Sequence, residues 1–185
     1  VSATVTRVNG FIDALEHYKQ PYKTLKTYIA VEPKGGTLAG KNILKDFPEK
    51  GSIDVIFANN DGGGLAVVKQ LMNAGRDEIF FATVDGDPQS IEIIKKKGMI
   101  RIDSALFCAE LGSVTMRTID EMFRGKKIAK EILIPIFPVT RETHHLYKGW
   151  WGGIPPKFKK PWYSDQKVWN NEIVRKMTKT KSKSK

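Results

Sequence analysis

Two short polar segments hold the side chains of this sequence that are best suited to binding a ligand. Residues 59–61 (NND) follow an apolar run of strand length at 53–58, and residues 85–87 (DGD) follow a second such run at 79–84. Carboxylates accept hydrogen bonds, and an amide both accepts and donates them, so the two segments could hold a polar solute. The same side chains could instead only cap the helices that follow. Both interpretations stay open from the sequence.

The surrounding pattern places both segments at the carboxyl ends of strands. The two continuous apolar runs are typical of strands buried on both faces of a parallel sheet. A helix is predicted after each segment from the spacing of its apolar residues. Gly75 is placed to end the first helix, and Pro88, after an Asp87 cap, is placed to begin the second. Ligands of open α/β sheets collect beyond the carboxyl ends of the strands, so a site is expected there.

The whole chain alternates between helical and strand patterns. Five mostly parallel strands are predicted near 25–31, 53–58, 79–84, 100–104 and 132–137. Helices are predicted before and between them, with a turn at 32–36 and a long helix at 106–124. Pro135 and Pro138 indicate that the last strand is an edge or crossing segment. The alternation predicts an α/β, doubly wound parallel sheet, and such a domain normally begins with a strand, so we expect the first strand to be missing.

Composition limits the classes of protein. The 185 residues, 41% hydrophobic, suffice for one globular domain, and no apolar run reaches the length of a membrane span. The chain opens on a helical pattern without a signal segment, which we interpret as a fragment. Cys108 is the single cysteine, so no intramolecular disulfide can form, and its place on the apolar face of the long helix predicts a buried, inert thiol.

The net charge of +11 comes mainly from the end of the chain. From Thr143 onward there are eleven basic and two acidic residues, so the part before it is nearly neutral. This basic tail, 143–185, contains all four tryptophans. Its aromatic and lysine residues could serve nucleic acid or an anionic membrane, but we favour a Trp-rich part packed on the domain as an irregular strap, with a solvated end. No nucleic-acid partner is predicted.

No catalytic, metal or cofactor site is predicted. His17, His144 and His145 all lie outside the strand-end segments, and no nucleophile and base can be assembled from those segments. Adjacent histidines rarely converge on one ion. The glycines at 62–64 lack the GxxxxGK[ST] spacing of a phosphate loop. We therefore predict a protein that is not an enzyme.

Four stretches together resemble a known family. They are SATVTRVNGF, IFANNDGGGLAVVKQLMNAG, FFATVDGDPQSIEIIKKKGMIRID and AELGSVTMRTIDEMFRGKKIAKEILIPIFPVTRET. In this order, across about residues 2–143, they are similar to the second half of a type I periplasmic solute-binding protein of the sugar-binding group. The resemblance implies two α/β lobes that close on a solute as a hinged pair. It also implies a C-terminal lobe at 1–105, a return crossing toward the absent N-terminal lobe at 106–142, and the tail at 143–185.

The resemblance also implies which residues bind the solute. Arg7 matches an arginine that family members direct at the solute, Asn60 an asparagine after the central strand, and Asp85 an aspartate at the end of the next strand. A guanidinium fork, an amide and a carboxylate suit hydroxyl and carboxylate groups of a solute. Helix-surface, capping and turn roles for these residues are the alternatives.

Two positions depart from the family pattern. Leu106 stands where the family commonly has a glutamine, and Lys34, with two following glycines, stands where many sugar binders have a stacking aromatic residue. We treat both as possible ligand-binding positions. They speak against a standard pentose or hexose and are compatible with a more apolar, acidic or phosphorylated solute.

Three functions follow as expectations. The first, favoured by the spacing of DGDPQSIEIIKKKGM and by the extended tail, is an exported, periplasmic or extracellular protein that binds a sugar-like solute for an ABC-type uptake transporter or a chemoreceptor. The others are the ligand domain of a lac-repressor-type transcription regulator and the sensor domain of a membrane receptor. Since half of a hinged pair leaves one face of the solute in water, the chain alone is expected to bind its solute weakly or not at all.

Overall fold

The computed structural model describes residues 2–130, 132, 134 and 136–154. These residues divide into two compact units, one with helix α1 (Ser2–His17) and the chain up to Tyr28, the other beginning at Ile29. In the first unit the Tyr22 hydroxyl donates to Glu16 Oε1 at 3.0 Å, which ties the chain after α1 back to its last turns.

The second unit has a mixed α/β structure. Its elements are α2 (Pro33–Asp46), β1 (Val55–Phe57), α3 (Asp61–Asn73), β2 (Phe80–Asp85), α4 (Pro88–Lys95), β3 (Ile100–Ala105), α5 (Cys108–Phe123), β4 (Phe137–Thr140) and a 3-10 helix (His144–Leu146). The sheet order is β1-β2-β3-β4; β1, β2 and β3 are parallel and β4 is antiparallel to β3. This confirms the predicted fold class, with a sheet that is mainly parallel.

The helix ends follow from local chemistry and agree with the predictions. Asp87 caps α4 by accepting a hydrogen bond from the Gln89 N–H at 2.8 Å, and Pro88 takes the first helical position. Gly75 lies just beyond α3 with a φ of 70°, a left-handed conformation that suits a glycine after a helix end.

The core lies between the sheet and the helices packed on it. Phe81 of β2, Leu71 of α3, Ile94 of α4, Ile100 of β3 and Phe137 of β4 are fully buried. Helices α2 and α3 approach closely through glycines, because a Cβ added to Gly36 would overlap the Gly63 carbonyl oxygen. The packing of α2 on α3 therefore requires these small residues.

The predicted strand at 25–31 is wrong. This segment belongs to no strand, and its Ile29 side chain is 89% exposed. In one common doubly wound order the first strand lies between the second and the third, so 25–31 would pair with a strand ahead of α1. The described residues contain none. Without that partner the β-favouring side chains do not suffice, because β-propensity mainly reflects packing against neighbours.

A second error concerns the strand predicted at 53–58. β1 is shorter than predicted and is not buried on both faces, since Val55 is 47% exposed. Within the described sheet β1 is an edge strand that pairs with β2 alone.

Three further predictions need correction. The last strand runs from Phe137 to Thr140, antiparallel to β3 and with Pro138 inside it, as an edge strand allows, whereas residues 133 and 135 of the predicted 132–137 lie outside the described residues. The predicted turn at 32–36 is mostly helical, because Pro33 begins α2. Cys108 is only partly buried, since α5 has no buried residue in this chain.

None of the described helices is both long enough and apolar enough to span a bilayer.

Candidate functional site

The two polar segments predicted from the sequence meet at one edge of the sheet, and Asp61 connects them. Its carboxylate is buried, with Oδ1 accepting from the Thr83 hydroxyl and Oδ2 from the Asp87 N–H, both at 2.7 Å. Thr83 lies in β2 and Asp61 begins α3, so the carboxylate joins the start of α3 to the loop after β2. The expectation that both segments lie on adjacent strand ends is confirmed.

Asp85 is the last residue of β2 and has an unusual backbone. Its φ of 125° is rare for a residue with a side chain. Its carbonyl accepts two hydrogen bonds, one from the Leu106 N–H at 3.2 Å and one from Trp150 Nε1–H at 2.7 Å. Strained residues that their surroundings hold in place are concentrated at functional sites, so Asp85 is the strongest candidate of the predicted set.

Asn60 is partly engaged in structural bonds. Its Oδ1 accepts from the Gly63 N–H at 3.3 Å as the N-cap of α3, and its Nδ2 donates to the Val31 carbonyl at 2.9 Å. The capping role that the sequence left open is therefore real. An amide has two N–H groups and two lone pairs, so one of each is left for a solute.

The other predicted residues occupy different places. Leu106 is half-buried directly after β3, and its backbone reaches Asp85 as described. Lys34 is exposed in the first turn of α2. Arg7 lies midway along α1 in the other compact unit and is partly exposed. The second unit thus brings Asn60, Asp85 and Leu106 to one strand-end edge, and a contribution from Arg7 stays a prediction.

A second buried carboxyl group, Asp103, lies beneath the loop at 85–87. Its Oδ1 accepts from the Gly86 N–H at 2.9 Å, and its Oδ2 is buried without a hydrogen-bond partner among the described residues. Burial is the main cause that raises the pKa of Asp103 to about 9, and the adjacent negative charge of Asp61 is the next. Asp103 is therefore protonated and neutral at physiological pH.

The described part of the tail packs on the same edge. The Tyr147 hydroxyl donates to the Leu106 carbonyl at 2.8 Å, and burial is the main cause that raises the pKa of Tyr147. The Trp150 carbonyl accepts from the Ala109 N–H at 3.0 Å, near the start of α5. Residues 143–154 therefore contact this edge, whereas the rest of the tail lies outside the described residues, so the Trp-rich strap as a whole stays a prediction.

Four residues that shape this edge were not predicted from the sequence: Asp61 as a buried acceptor, Asp103, Tyr147 and Trp150. Asp103 could have been noticed in the sequence and would have given a signal, because an aspartate is unusual inside the strand pattern of 100–104. Trp150 left none, since its bond to Asp85 joins residues 65 positions apart.

Within the part of the chain that the structure describes, no group of three or more His, Cys, Asp and Glu side chains is arranged to hold a metal ion.

Comparisons with known proteins agree with this arrangement. The family profile of the periplasmic binding protein domain matches residues 1–127. The solved structure of an ABC transporter solute-binding protein from Agrobacterium vitis, with bound allitol, is 24% identical to this chain with a TM-score of 0.66, and the match covers 75% of this chain and 49% of that protein.

Two other solved structures are similar. A periplasmic solute-binding protein of an ABC transporter from Actinobacillus succinogenes, with bound D-allose, is 21% identical with a TM-score of 0.57, covering 63% of this chain and 40% of that one. The Bacillus halodurans protein with bound myo-inositol is 22% identical with a TM-score of 0.57, covering 63% and 39%. This chain thus spans half or less of the length of these proteins, with which it shares the fold.

No curated protein matches the chain. The family profile covers more than half of the sequence, and its class is one of binding proteins and not of enzymes. The strand-end edge, the fold and the profile lead to one conclusion: this chain belongs to the periplasmic binding protein family.

Proposed function

We propose that this chain supplies the C-terminal lobe, at 1–105, and a return crossing, at 106–142, of an exported protein that binds a small polar solute. The protein would deliver the solute to an ABC-type uptake transporter or to a chemoreceptor. Asp85 and Asn60 would bind the solute's polar groups from the strand-end edge, and Arg7 would add its guanidinium.

The conformation of Asp85 is the observation that carries this proposal. A carboxylate at the carboxyl end of β2, with a φ of 125° and a carbonyl held by two donors, is placed where open α/β sheets bind ligands. A carboxylate accepts hydrogen bonds from two hydroxyl groups at once, as adjacent hydroxyls of a polyol require.

The solute class is supported by the similar structures, which hold allitol, D-allose and myo-inositol. All three are neutral and rich in hydroxyl groups. Leu106 offers an apolar contact beside Asp85, and Lys34 offers a positive charge at the start of α2. A polyol is therefore the first solute to test, D-allose tests whether Leu106 and Lys34 disfavour a hexose, and a hexose phosphate tests the charge of Lys34.

Helix α5 supports the need for a second lobe. It carries five large apolar side chains that are at least one-third exposed: Leu111, Met116, Ile119, Met122 and Phe123. An exposed apolar face of this kind marks an interaction surface. The return crossing would bring it against the N-terminal lobe, and closure of the two lobes would then enclose the solute.

The test is an NMR titration of the ¹⁵N-labelled chain with allitol, D-allose, myo-inositol and a hexose phosphate. We expect one of them to shift the amide resonances of Asn60, Asp85 and Leu106. The dissociation constant should be about 1 mM or weaker, since this lobe leaves one face of the solute in water. Submicromolar binding to this chain alone would contradict the two-lobe proposal.

Asp85→Ala and Asp87→Ala form a matched pair for the same titration. Loss of a charge-assisted hydrogen bond costs about 1.5–3 kcal/mol, so Asp85→Ala should weaken binding about tenfold to hundredfold. Asp87 caps α4, so its variant should lose about 1 kcal/mol of stability and little affinity. If Asp87→Ala loses affinity and Asp85→Ala loses only stability, the site assignment is wrong.

A further inference from the structure

The peptide group between Asp85 and Gly86 is held at both of its ends. Its carbonyl oxygen accepts from Trp150 Nε1–H at 2.7 Å and from the Leu106 N–H at 3.2 Å. Its N–H, which belongs to Gly86, donates to Asp103 Oδ1 at 2.9 Å. Because a peptide group is planar, three bonds at its two ends fix the orientation of the whole plane.

The other side of Asp85 is fixed by the sheet. Asp85 pairs with Ala105 in the parallel ladder between β2 and β3, so the peptide group before it cannot turn freely. With the planes before and after it both held, the φ and ψ angles of Asp85 are determined, and they fix the direction in which its side chain leaves the backbone. Its φ of 125° is one that an aspartate rarely adopts unaided.

Of these donors, only the Trp150 indole is supplied by a side chain of the tail. Its backbone is anchored separately, because the Trp150 carbonyl accepts from the Ala109 N–H at 3.0 Å. Tyr147, three residues earlier, is bound to the Leu106 carbonyl and lies against Gly86, where an added Cβ would come within 2.6 Å of its hydroxyl oxygen. The tail thus contacts the Asp85 loop at a position defined by several independent bonds.

We propose that Trp150 is a positioning residue for the solute site: its indole N–H holds the Asp85 carbonyl, and thereby sets the direction in which the Asp85 carboxylate meets the solute. The proposal rests on the function proposed above for Asp85. It gives the first part of the tail a role in binding, although Trp150 itself need not touch the solute.

The test compares Trp150→Phe with Trp151→Phe in the ¹⁵N-labelled chain. Phenylalanine keeps a ring and the backbone bond to Ala109 but removes the indole donor. Trp151 is the matched control, since it is the next residue and is 85% exposed. In Trp150→Phe we expect the amide resonances of Gly86 and Leu106 to shift, because the Gly86 N–H belongs to the peptide group that the indole holds and the Leu106 N–H donates to the carbonyl of that group. In Trp151→Phe both resonances should stay in place.

The affinity measurement separates positioning from a merely structural role. At a temperature where both variants are folded, Trp150→Phe should weaken binding of the best solute by up to about tenfold, the lower end of what one charge-assisted hydrogen bond contributes. A Trp150 with only a structural role would lower the melting temperature and leave this affinity and the Gly86 resonance unchanged, which would overturn the proposal.

Two further outcomes are decisive. If the wild-type chain binds none of the solutes tested, the proposed function fails, while the shifts of Gly86 and Leu106 still show whether the indole sets this loop. If Trp150→Phe does not fold, hydrogen exchange in the wild type decides: the Trp150 indole N–H should exchange far more slowly than that of Trp151. Equal exchange rates of the two would refute the bond on which the proposal depends.

Discussion

Replacing Asp103 by asparagine should change how the stability of the chain depends on pH. Burial and the charge of Asp61 raise the pKa of Asp103 from 3.8 to about 9, so between these values the folded state keeps a proton that the unfolded state has released. Unfolding then releases a proton, and the stability that depends on this proton is greatest below pH 3.8 and falls as the pH rises toward 9. If the folded state keeps this one proton throughout, the free energy of unfolding falls by about 2–3 kcal/mol from pH 5 to pH 7.

The Asp103→Asn side chain would keep the acceptor for the Gly86 N–H and nearly the same volume, but it cannot ionise. The variant should therefore become more stable relative to the wild type as the pH rises, by about 2–3 kcal/mol from pH 5 to pH 7. Urea unfolding followed by circular dichroism at pH 5, 6 and 7 measures this.

Asp77→Asn is the matched control for loss of one carboxylate, because the Asp77 side chain is 78% exposed. Its stability relative to the wild type should vary much less across the same pH range than that of Asp103→Asn. If the difference between Asp103→Asn and the wild type is constant from pH 5 to pH 7, then Asp103 is already ionised in the folded chain. The account of a neutral carboxyl group beneath the 85–87 loop would then be wrong.

Two other predictions concern the contacts that form the strand-end edge, and urea unfolding measures both. Gly63→Ala should destabilise the chain by about 3 kcal/mol or more, because the added Cβ would overlap the Ala30 carbonyl oxygen. The control is Gly112→Ala inside α5, where an added Cβ meets nothing within 4 Å, so this variant should be about 1 kcal/mol more stable than the wild type. Equal stabilities of the two variants would contradict the close packing at Gly63. Thr83→Val should cost about 1–3 kcal/mol, because it leaves the buried Asp61 Oδ1 without its donor, and an unchanged stability would mean that this bond contributes nothing.

Local pattern was sufficient for most of the secondary structure. The strand before residue 85, the Asp87 cap with Pro88, and Gly75 after α3 each depend on neighbours within a few positions, and each is found as predicted. Such signals are local because capping bonds and glycine conformations involve adjacent backbone groups.

The sequence also indicated the edge at which a site would form. Parallel strands that follow one another end at the same side of a sheet, so the segments at 59–61 and 85–87 had to come together, and the Asp61 bond to Asp87 shows that they do. The family resemblance added the choice of Asn60 and Asp85 from those segments. Their contact with a solute stays a prediction.

Strand formation at the ends of the sheet was decided by tertiary partners. Residues 25–31 have strand-like composition but no strand to pair with in the described chain, and β1 is consequently an exposed edge. β4 begins at Phe137, later than predicted, and runs antiparallel to β3. A strand is stable only with a hydrogen-bonded neighbour, and the sequence of one segment does not specify that neighbour.

What only the tertiary structure decided is how the strand-end residues are held. The roles of Asp103 and Trp150 depend on bonds across 17 and 65 positions, which no spacing rule connects. The raised pKa of Asp103 arises because the fold removes its carboxyl group from water and places Asp61 beside it. The sequence by itself determined that Asp85 ends a strand, whereas the conformation that directs its side chain is set by residues that folding brings together.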